Sequence, residues 1–324
     1  MPRLSLERIA RAAREIDPVF RHSPQFRVES LGERLGCDLV VKVETLNPIR
    51  SFKGRGADFF VRELPERSPR LTCASAGNFG QGLAYAARRR GIPLDIVASV
   101  HANPFKVARM RALGATVRLA GEDFDAAKAE ARAWAAREGA RYVEDGREPA
   151  ITEGAGTIAV ELAAWDAPID TLLVPLGNGA LLGGIATWWR AHRPETRVVG
   201  VCATGAPSMA LSWRAHRVVE TASAATIADG IAVRVPVPEA VADLQAIVDD
   251  IVLVDDDTTL EAMRLVFAHV GILVEPAGVV GVAALLAHRA RHAGERVATV
   301  LCGSNLTPEQ VASYCVTQPP AATP

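Results

Sequence analysis

Short apolar runs rich in Val, Ile and Leu alternate with amphipathic stretches along most of this chain. Leu94–Val100, Thr116–Leu119, Ala140–Val143, Thr171–Leu176, Arg197–Cys202, Ile251–Val254 and Arg296–Cys302 have the length and β-branched content of strands. Asn103–Leu113, Phe124–Glu138, Thr157–Trp165, Thr258–Val270 and Ala277–Arg289 carry the spacing of helices. Strands alternating with helices of this length mean βαβ units, hence an α/β fold with largely parallel sheets. Strand order is not legible in such a pattern.

Two polar or Pro-rich stretches, 64–69 and Asp145–Glu153, bracket the middle block. They suggest a small domain over 65–148 and a larger one formed by 1–64 and 149–324. The tail 319–324, half of it proline, reads as frayed. At 324 residues the chain can bury a large core. Its net charge of -1 offers no bulk attraction to nucleic acid or to an acidic membrane. The Arg88-Arg89-Arg90 run reads as exposed helix surface. Five cysteines, odd in number and without a C-x-x-C pair, give no disulfide framework and no zinc spacing. His288 and His292 share an i,i+4 spacing in an Arg-rich stretch and read as surface rather than metal ligands. The N-terminus lacks the pattern of a signal peptide, and no apolar run reaches the length of a membrane span. A cytoplasmic protein is the expectation.

Four segments carry candidate chemistry. In Asn47-Pro48-Ile49-Arg50-Ser51-Phe52-Lys53-Gly54, a lysine follows a Pro turn and is wedged between Phe52 and Gly54. Desolvation there favours a neutral amine, which a Schiff-base nucleophile needs; the bland alternative is a surface lysine at a helix start. Gly177-Asn178-Gly179-Ala180-Leu181 follows an apolar strand and precedes a helix, the order of a phosphate cradle. It is neither a Walker motif nor a dinucleotide fingerprint, so its phosphate belongs to something other than ATP or NAD, unless the segment is merely a tight βα turn. Ser75-Ala76-Gly77-Asn78-Phe79 opens a helix and gathers hydroxyl, amide and backbone N–H groups suited to a carboxylate, or simply forms an N-cap. Cys302-Gly303-Ser304-Asn305 ends the last strand, where ligands sit in open α/β sheets, although a buried cysteine usually has no role.

Taken together, these segments closely resemble the threonine/serine dehydratase (ammonia-lyase) branch of the fold-type II pyridoxal-phosphate (PLP) enzymes, the tryptophan synthase β-like superfamily. The resemblance runs from about Ile9 to Asn305. It implies two open, largely parallel sheets with helices on both faces, pyridoxal 5'-phosphate as cofactor, a small amino-acid substrate and a homo-oligomer, dimer or tetramer. It implies that Lys53 is the Schiff-base lysine, with Phe52 packed by the ring and Asn78 at the ring 3′-oxygen. Gly177, Asn178, Gly179, Ala180 and Leu181 would bind the phosphate, Cys302 would face the pyridine nitrogen, and Ser75, Ala76, Gly77, Asn78 and Phe79 would hold the substrate carboxylate. Glu275-Pro276-Ala277-Gly278 also matches a family segment, without a firm role for Glu275.

The departures from the pattern are informative. Asn178 and Ala180 replace two glycines of the usual four-glycine phosphate loop, but backbone donors survive those changes. Ala76 stands where serine racemase has a serine able to reprotonate the opposite face, which favours elimination over racemisation. A Cys302 thiol is a weak partner for the ring nitrogen and does not enforce its protonation. Cys202, Ala206 and Ser208 occupy the places of acidic cation ligands in some relatives, so no metal site is expected. The chain stops soon after Asn305, so the regulatory domain of the long threonine dehydratases is not expected. The expected activity is dehydration and deamination of threonine or serine to a 2-oxo acid and ammonia. A lyase for another β-substituted amino acid such as 3-hydroxyaspartate, a β-replacement synthase and a PLP-binding scaffold are the alternatives.

Overall fold

A computed structural model describes residues 2–66 and 68–315; the 319–324 tail lies outside the described residues. Among the described residues, ten strands form two sheets: β1 (Gln25–Arg27), β2 (Asp38–Val43), β3 (Leu71–Ala74), β4 (Leu94–Ala98), β5 (Thr116–Leu119), β6 (Arg141–Tyr142), β7 (Thr171–Pro175), β8 (Arg197–Ala203), β9 (Asp250–Val254) and β10 (Arg296–Leu301). The larger sheet runs β1-β2-β10-β7-β8-β9 and the smaller β5-β4-β3-β6. Only the edge pair β1–β2 is antiparallel; the other pairings are parallel.

The apolar runs follow from burial on both faces. Leu39, Val41, Leu173, Val199, Val201 and Val297 enter one core, while Val40, Leu172, Val174, Val198, Ala298 and Val300 enter the other. Successive side chains point to opposite faces, so a central strand covered on both sides reads as continuously apolar. A third core joins the helices Lys53–Arg62 and Asn78–Arg89 to one face of the small sheet, and a cluster of Ala74, Val97, Ala127 and Ala131 covers the other.

The expected elements recur with ends displaced by a few residues, with one exception. The helix expected at Thr157–Trp165 spans Pro149–Leu162. Every residue from Ala150 to Ala159 is buried, which leaves no amphipathic period to read, and Pro149 sits at the first turn where its missing N–H costs nothing. The expected exposure of His292 is also overturned: it is 4% exposed, with Nδ1 2.8 Å from Glu295 Oε2. Arg88, Arg89 and Arg90 are exposed, and all five cysteines are free. No described helix is long and apolar enough to cross a membrane.

Three helices pack backbone to backbone beneath the gap between the sheets. A Cβ on Gly56 would lie 2.3 Å from Ile151 O, and one on Gly184 2.2 Å from Thr152 O. Helix 53–62 thus rests on 149–162, which rests in turn on Ala180–His192. Arg55 lies wholly buried at this junction. Its Nε and Nη2 donate to Glu44 at 2.8 and 2.9 Å, and its Nη1 and Nη2 to Glu161 at 2.8 and 2.9 Å. Nη1 also donates to Thr157 Oγ1 at 3.0 Å, and Lys42 Nζ donates to Glu161 at 2.6 Å. Burial opposes the Glu161 charge, but Arg55 and Lys42 hold its carboxyl down at about 2.

Replacing Arg55 by leucine leaves two buried carboxylates facing each other, so Arg55→Leu is expected to cost about 3–5 kcal/mol of folding stability by urea denaturation at neutral pH. The depressed Glu161 carboxyl adds stability above its unfolded value, and that stability is lost as pH falls. In wild type the loss should run from about 4.3 down toward about 2; over that window the variant should show a shallower decline.

Candidate active site

The expected chemical segments meet at the carboxyl ends of parallel strands, in a cavity of about 560 Å³ between the two sheets. Ser75 follows β3, Gly177 follows the end of β7 and Cys302 follows β10. Phe52, Lys53, Ser75, Ala76, Gly77, Asn78, Phe79, Gly177, Asn178, Gly179, Ala180, Leu181 and Cys302 all line it. Placement at the carboxyl ends is where crossovers leave backbone donors and helix N-termini facing a common crevice.

Lys53 is the first residue of its helix, and the turn before it is pinned by one side chain. Asn47 Oδ1 accepts from Ile49 N and Ser51 N at 3.1 and 3.3 Å, while Nδ2 donates to Glu44 O and Ser51 O at 2.9 and 3.1 Å. This Asx-type turn holds Arg50 at φ +52°, where a non-glycine residue persists only under such constraint. Arg50 O accepts from Ser304 N at 2.9 Å and Phe52 N donates to Cys302 O at 3.1 Å, which sets Lys53 beside Cys302. The Lys53 ammonium lies 4.7 Å from the Phe52 ring centroid and is ion-paired with Asp145. The apolar setting expected for this lysine is therefore only half of its environment; a carboxylate from the turn after β6 supplies the rest.

The segment 75–79 is shaped by Ser75. Its Oγ accepts from Gly77 N and Gly80 N at 3.2 and 2.9 Å, leaving its own proton free to donate. The N–H groups of Ala76, Asn78 and Phe79 have no acceptor among the described residues, so they converge at the start of helix 78–89. Asn78 is clamped at both ends of its amide: Nδ2 donates to Glu275 Oε1, and Oδ1 accepts from Asn305 Nδ2 at 2.7 Å. Asn305 N closes the ring on Glu275 Oε2 at 3.1 Å. Glycine at 303 permits this, because a Cβ there would lie 2.1 Å from Glu275 Oε1. Burial pushes the Glu275 carboxyl up; Lys106 draws it down, and Asp229 adds to the rise.

The loop 177–181 presents five successive N–H groups without an acceptor among the described residues. Gly179, at φ +91°, turns the chain into helix 180–192, whose dipole points at the same spot. Free donors gathered at a helix N-terminus suit an anion, and a phosphate has the oxygens to match. Replacement of two glycines by Asn178 and Ala180 leaves these donors in place.

Cys302 is buried, and its Sγ donates to Ala277 O at 3.7 Å. Burial raises the thiol far above its ordinary value and the Glu275 charge adds to this, against a smaller opposing effect of Lys53, so it stays neutral. Cys202 and Ser208, at the places compared with cation ligands, are buried in a core; Ser208 Oγ donates to Val233 O at 2.6 Å. Among the described residues no group of three or more His, Cys, Asp or Glu side chains is arranged for a metal.

Several charged cavity residues received no role from the sequence, Lys106, Asp145, Asp229 and Glu275 among them. Lys106 is 4% exposed and ion-paired with Asp229; burial works against its charge, but Asp229 and then Glu275 raise it overall. Asp145 faces Lys53, and Glu275 holds Asn78. Glu275 carried a signal in Glu275-Pro276-Ala277-Gly278, whereas charged residues in turns and on helices otherwise look like surface.

Residues 16–303 match the family of pyridoxal-phosphate dependent enzymes. An L-threonine ammonia-lyase of Thermotoga maritima is 34% identical over 305 residues, 94% of this chain and 76% of that protein. The biosynthetic L-threonine dehydratase of Escherichia coli is 33% identical over 88% of this chain, which spans only 56% of that longer enzyme. Among solved structures, threonine deaminase isoform 2 of Solanum lycopersicum superposes with a TM-score of 0.87 at 29% identity, covering 97% of this chain and 94% of that one. Maize serine racemase superposes with a TM-score of 0.89 at 26% identity, covering 96% of each chain. With the matched segment spanning the lysine helix, the donor-rich loop and the end of β10, the chain belongs to the pyridoxal-phosphate dependent enzyme family.

Proposed function

We propose that this chain is a PLP-dependent ammonia-lyase that removes water and ammonia from threonine or serine, leaving a 2-oxo acid. The observation that carries this reading is the convergence of Lys53, the 75–79 segment and the 177–181 loop on one cavity. The residues fit the cofactor: the unpaired donors of 177–181 suit its phosphate, and Lys53 is the lysine within that cavity that opens a helix beside Cys302. In this reading Lys53 carries the cofactor, Phe52 packs by it, Asn78 reaches its 3′-oxygen and Cys302 faces the ring nitrogen. Ser75, Ala76, Gly77, Asn78 and Phe79 take the substrate carboxylate. The small substrate-binding domain is assigned to 65–148, within which the β3–β6 sheet lies, and the cofactor-binding domain to 1–64 and 149–324.

The cofactor, when bound, supplies an electron-accepting ring that spreads the charge left at Cα. Everything else falls to the chain. Lys53 takes the Cα proton and returns it to the departing β-hydroxyl, which leaves as water. The clamp of Glu275 and Asn305 on Asn78 holds its amide against rotation. A neutral Cys302 thiol does not force a proton onto the ring nitrogen, and loss of a β-leaving group tolerates the weaker electron sink. The released enamine is hydrolysed by water to the 2-oxo acid and ammonia. Relatives of 33 to 35% identity bearing threonine ammonia-lyase or dehydratase names support this choice of substrate.

Purified protein should be yellow with bound cofactor, and borohydride should bleach the band and leave the pyridoxyl group on Lys53 by peptide mapping. Lys53→Ala should lose both the fixed label and 2-oxo acid release from L-threonine and L-serine; label on another lysine would sink the assignment. EDTA treatment should leave turnover unchanged, and a loss that magnesium restores would show a cation site in the cavity. Ala76 offers no proton donor on the face away from Lys53, so chiral chromatography should find little D-serine beside the pyruvate formed. Ala76→Ser should raise the ratio of D-serine to pyruvate, by less than the about 10²–10⁴-fold that a well-positioned proton donor contributes.

A further inference from the structure

Asp145 stands against Lys53 in the cavity, and the roles assigned above leave it without work. It follows β6 in a turn held against the phosphate loop: its neighbour Gly146, at φ +85°, lies so near Asn178 that a Cβ would be 2.1 Å from Asn178 O. Arg147 N and Glu148 N both donate to Glu144 O, which closes the turn. Asp145 is thus carried by a braced support rather than a free loop.

The residue is 7% exposed. Its Oδ2 accepts from Lys53 Nζ, and its Oδ1 is buried without a donor among the described residues. An ionised carboxylate offers about four lone-pair sites, and the one donor here is the amine that the reaction engages. The other acids of the cavity have partners of their own. Glu144 takes Lys128 and Arg132 at 2.9 Å each, Asp125 takes Arg234 at 3.0 Å, Asp229 takes Lys106, and Glu275 takes Asn78 and Asn305. A buried carboxylate short of donors is costly unless a ligand supplies them. A group bonded to the amine that works at Cα lies within reach of whatever the β-carbon carries.

We propose that Asp145 is a specificity-determining residue that accepts a hydrogen bond from the substituent on the substrate's β-carbon. It selects amino acids whose β-substituent bears a donor, a hydroxyl or, in keeping with the carboxylate charge, an amine. The proposal rests on the ammonia-lyase reading and names what that site recognises beyond the α-amino acid.

The test uses wild-type holoenzyme, Asp145→Ala and Asp145→Asn, each checked for cofactor by its absorbance band. 2-Oxo acid release is measured from L-serine, L-2,3-diaminopropionate and 3-chloro-L-alanine, whose chloride offers no donor. Binding of L-2-aminobutyrate, threonine without its hydroxyl, is followed by spectral titration. Asp145→Ala should lower kcat/KM for L-serine by about 10- to 100-fold relative to that for chloroalanine and leave the Kd of 2-aminobutyrate unchanged. Asp145→Asn keeps an acceptor oxygen without the charge, so it should largely restore serine and not diaminopropionate. Equal losses for serine and chloroalanine, or weakened binding of 2-aminobutyrate, would confine Asp145 to supporting Lys53 and overturn the proposal. Failure of the ammonia-lyase reading looks different: wild type would release no 2-oxo acid from serine or threonine. Asp145 is then read from binding alone, as the Kd of threonine against that of 2-aminobutyrate. Loss of that difference in Asp145→Ala supports the proposal, and its persistence overturns it.

Discussion

Arg55 sits two residues beyond Lys53, wholly buried, with its guanidinium shared between Glu44 at the end of β2 and Glu161 on helix 149–162. A buried ion pair of this kind stabilises little by itself, since desolvation offsets most of the attraction. Its effect is geometric. The bidentate fork fixes the rotation of helix 53–62, and the glycine contacts at Gly56 and Gly184 fix its distance from the two helices beneath. Rotation and depth of this helix set where Lys53 emerges relative to the donor-rich loop 177–181 that leads into helix 180–192. Any shift of the Arg55 layer moves both, which makes this layer the constraint on which the active site depends.

Around that fixed floor the cavity walls come from two sheets. The segment 75–79 belongs to the small sheet, while the 177–181 loop and Cys302 belong to the large one. Several contacts cross between them. Asn78 meets Glu275 and Asn305, Gly146 meets Asn178, Lys106 meets Asp229, and Arg234 meets Asp125. Two of these are ion pairs and one is a clamped amide, so the relative placement of the sheets is coupled to the charge state of the cavity.

Burial keeps the Cys302 thiol neutral and raises the Glu275 carboxyl. Of the other carboxylates in the cavity, Glu144, Asp125 and Asp229 each have a basic partner other than Lys53, while Asp145 has Lys53 alone.

The alternation of apolar runs and helices determined the α/β class, because a strand buried on both faces and a helix buried on one leave different periods in the chain. The segments around Lys53, 177–181 and 75–79, which line one cavity, stood out in the sequence as well, since each depends on local backbone chemistry: a Pro turn, a glycine-rich βα loop, a helix start with Ser75. What the chain could not reveal alone was anything set by distant packing. Helix 149–162 hid because its residues 150–159 are buried around the whole circumference, and His292 looked exposed because its neighbours are arginines. Arg55, Lys106 and Asp145 are ordinary charged residues until the fold places them against partners 11, 123 and 92 positions away, and Glu275, marked in the sequence only by its segment, gains its place against Asn78 197 positions away. Local conformation follows from neighbours in sequence, but the desolvation and pairing of a charge follow from neighbours in space, and only the tertiary structure decides those.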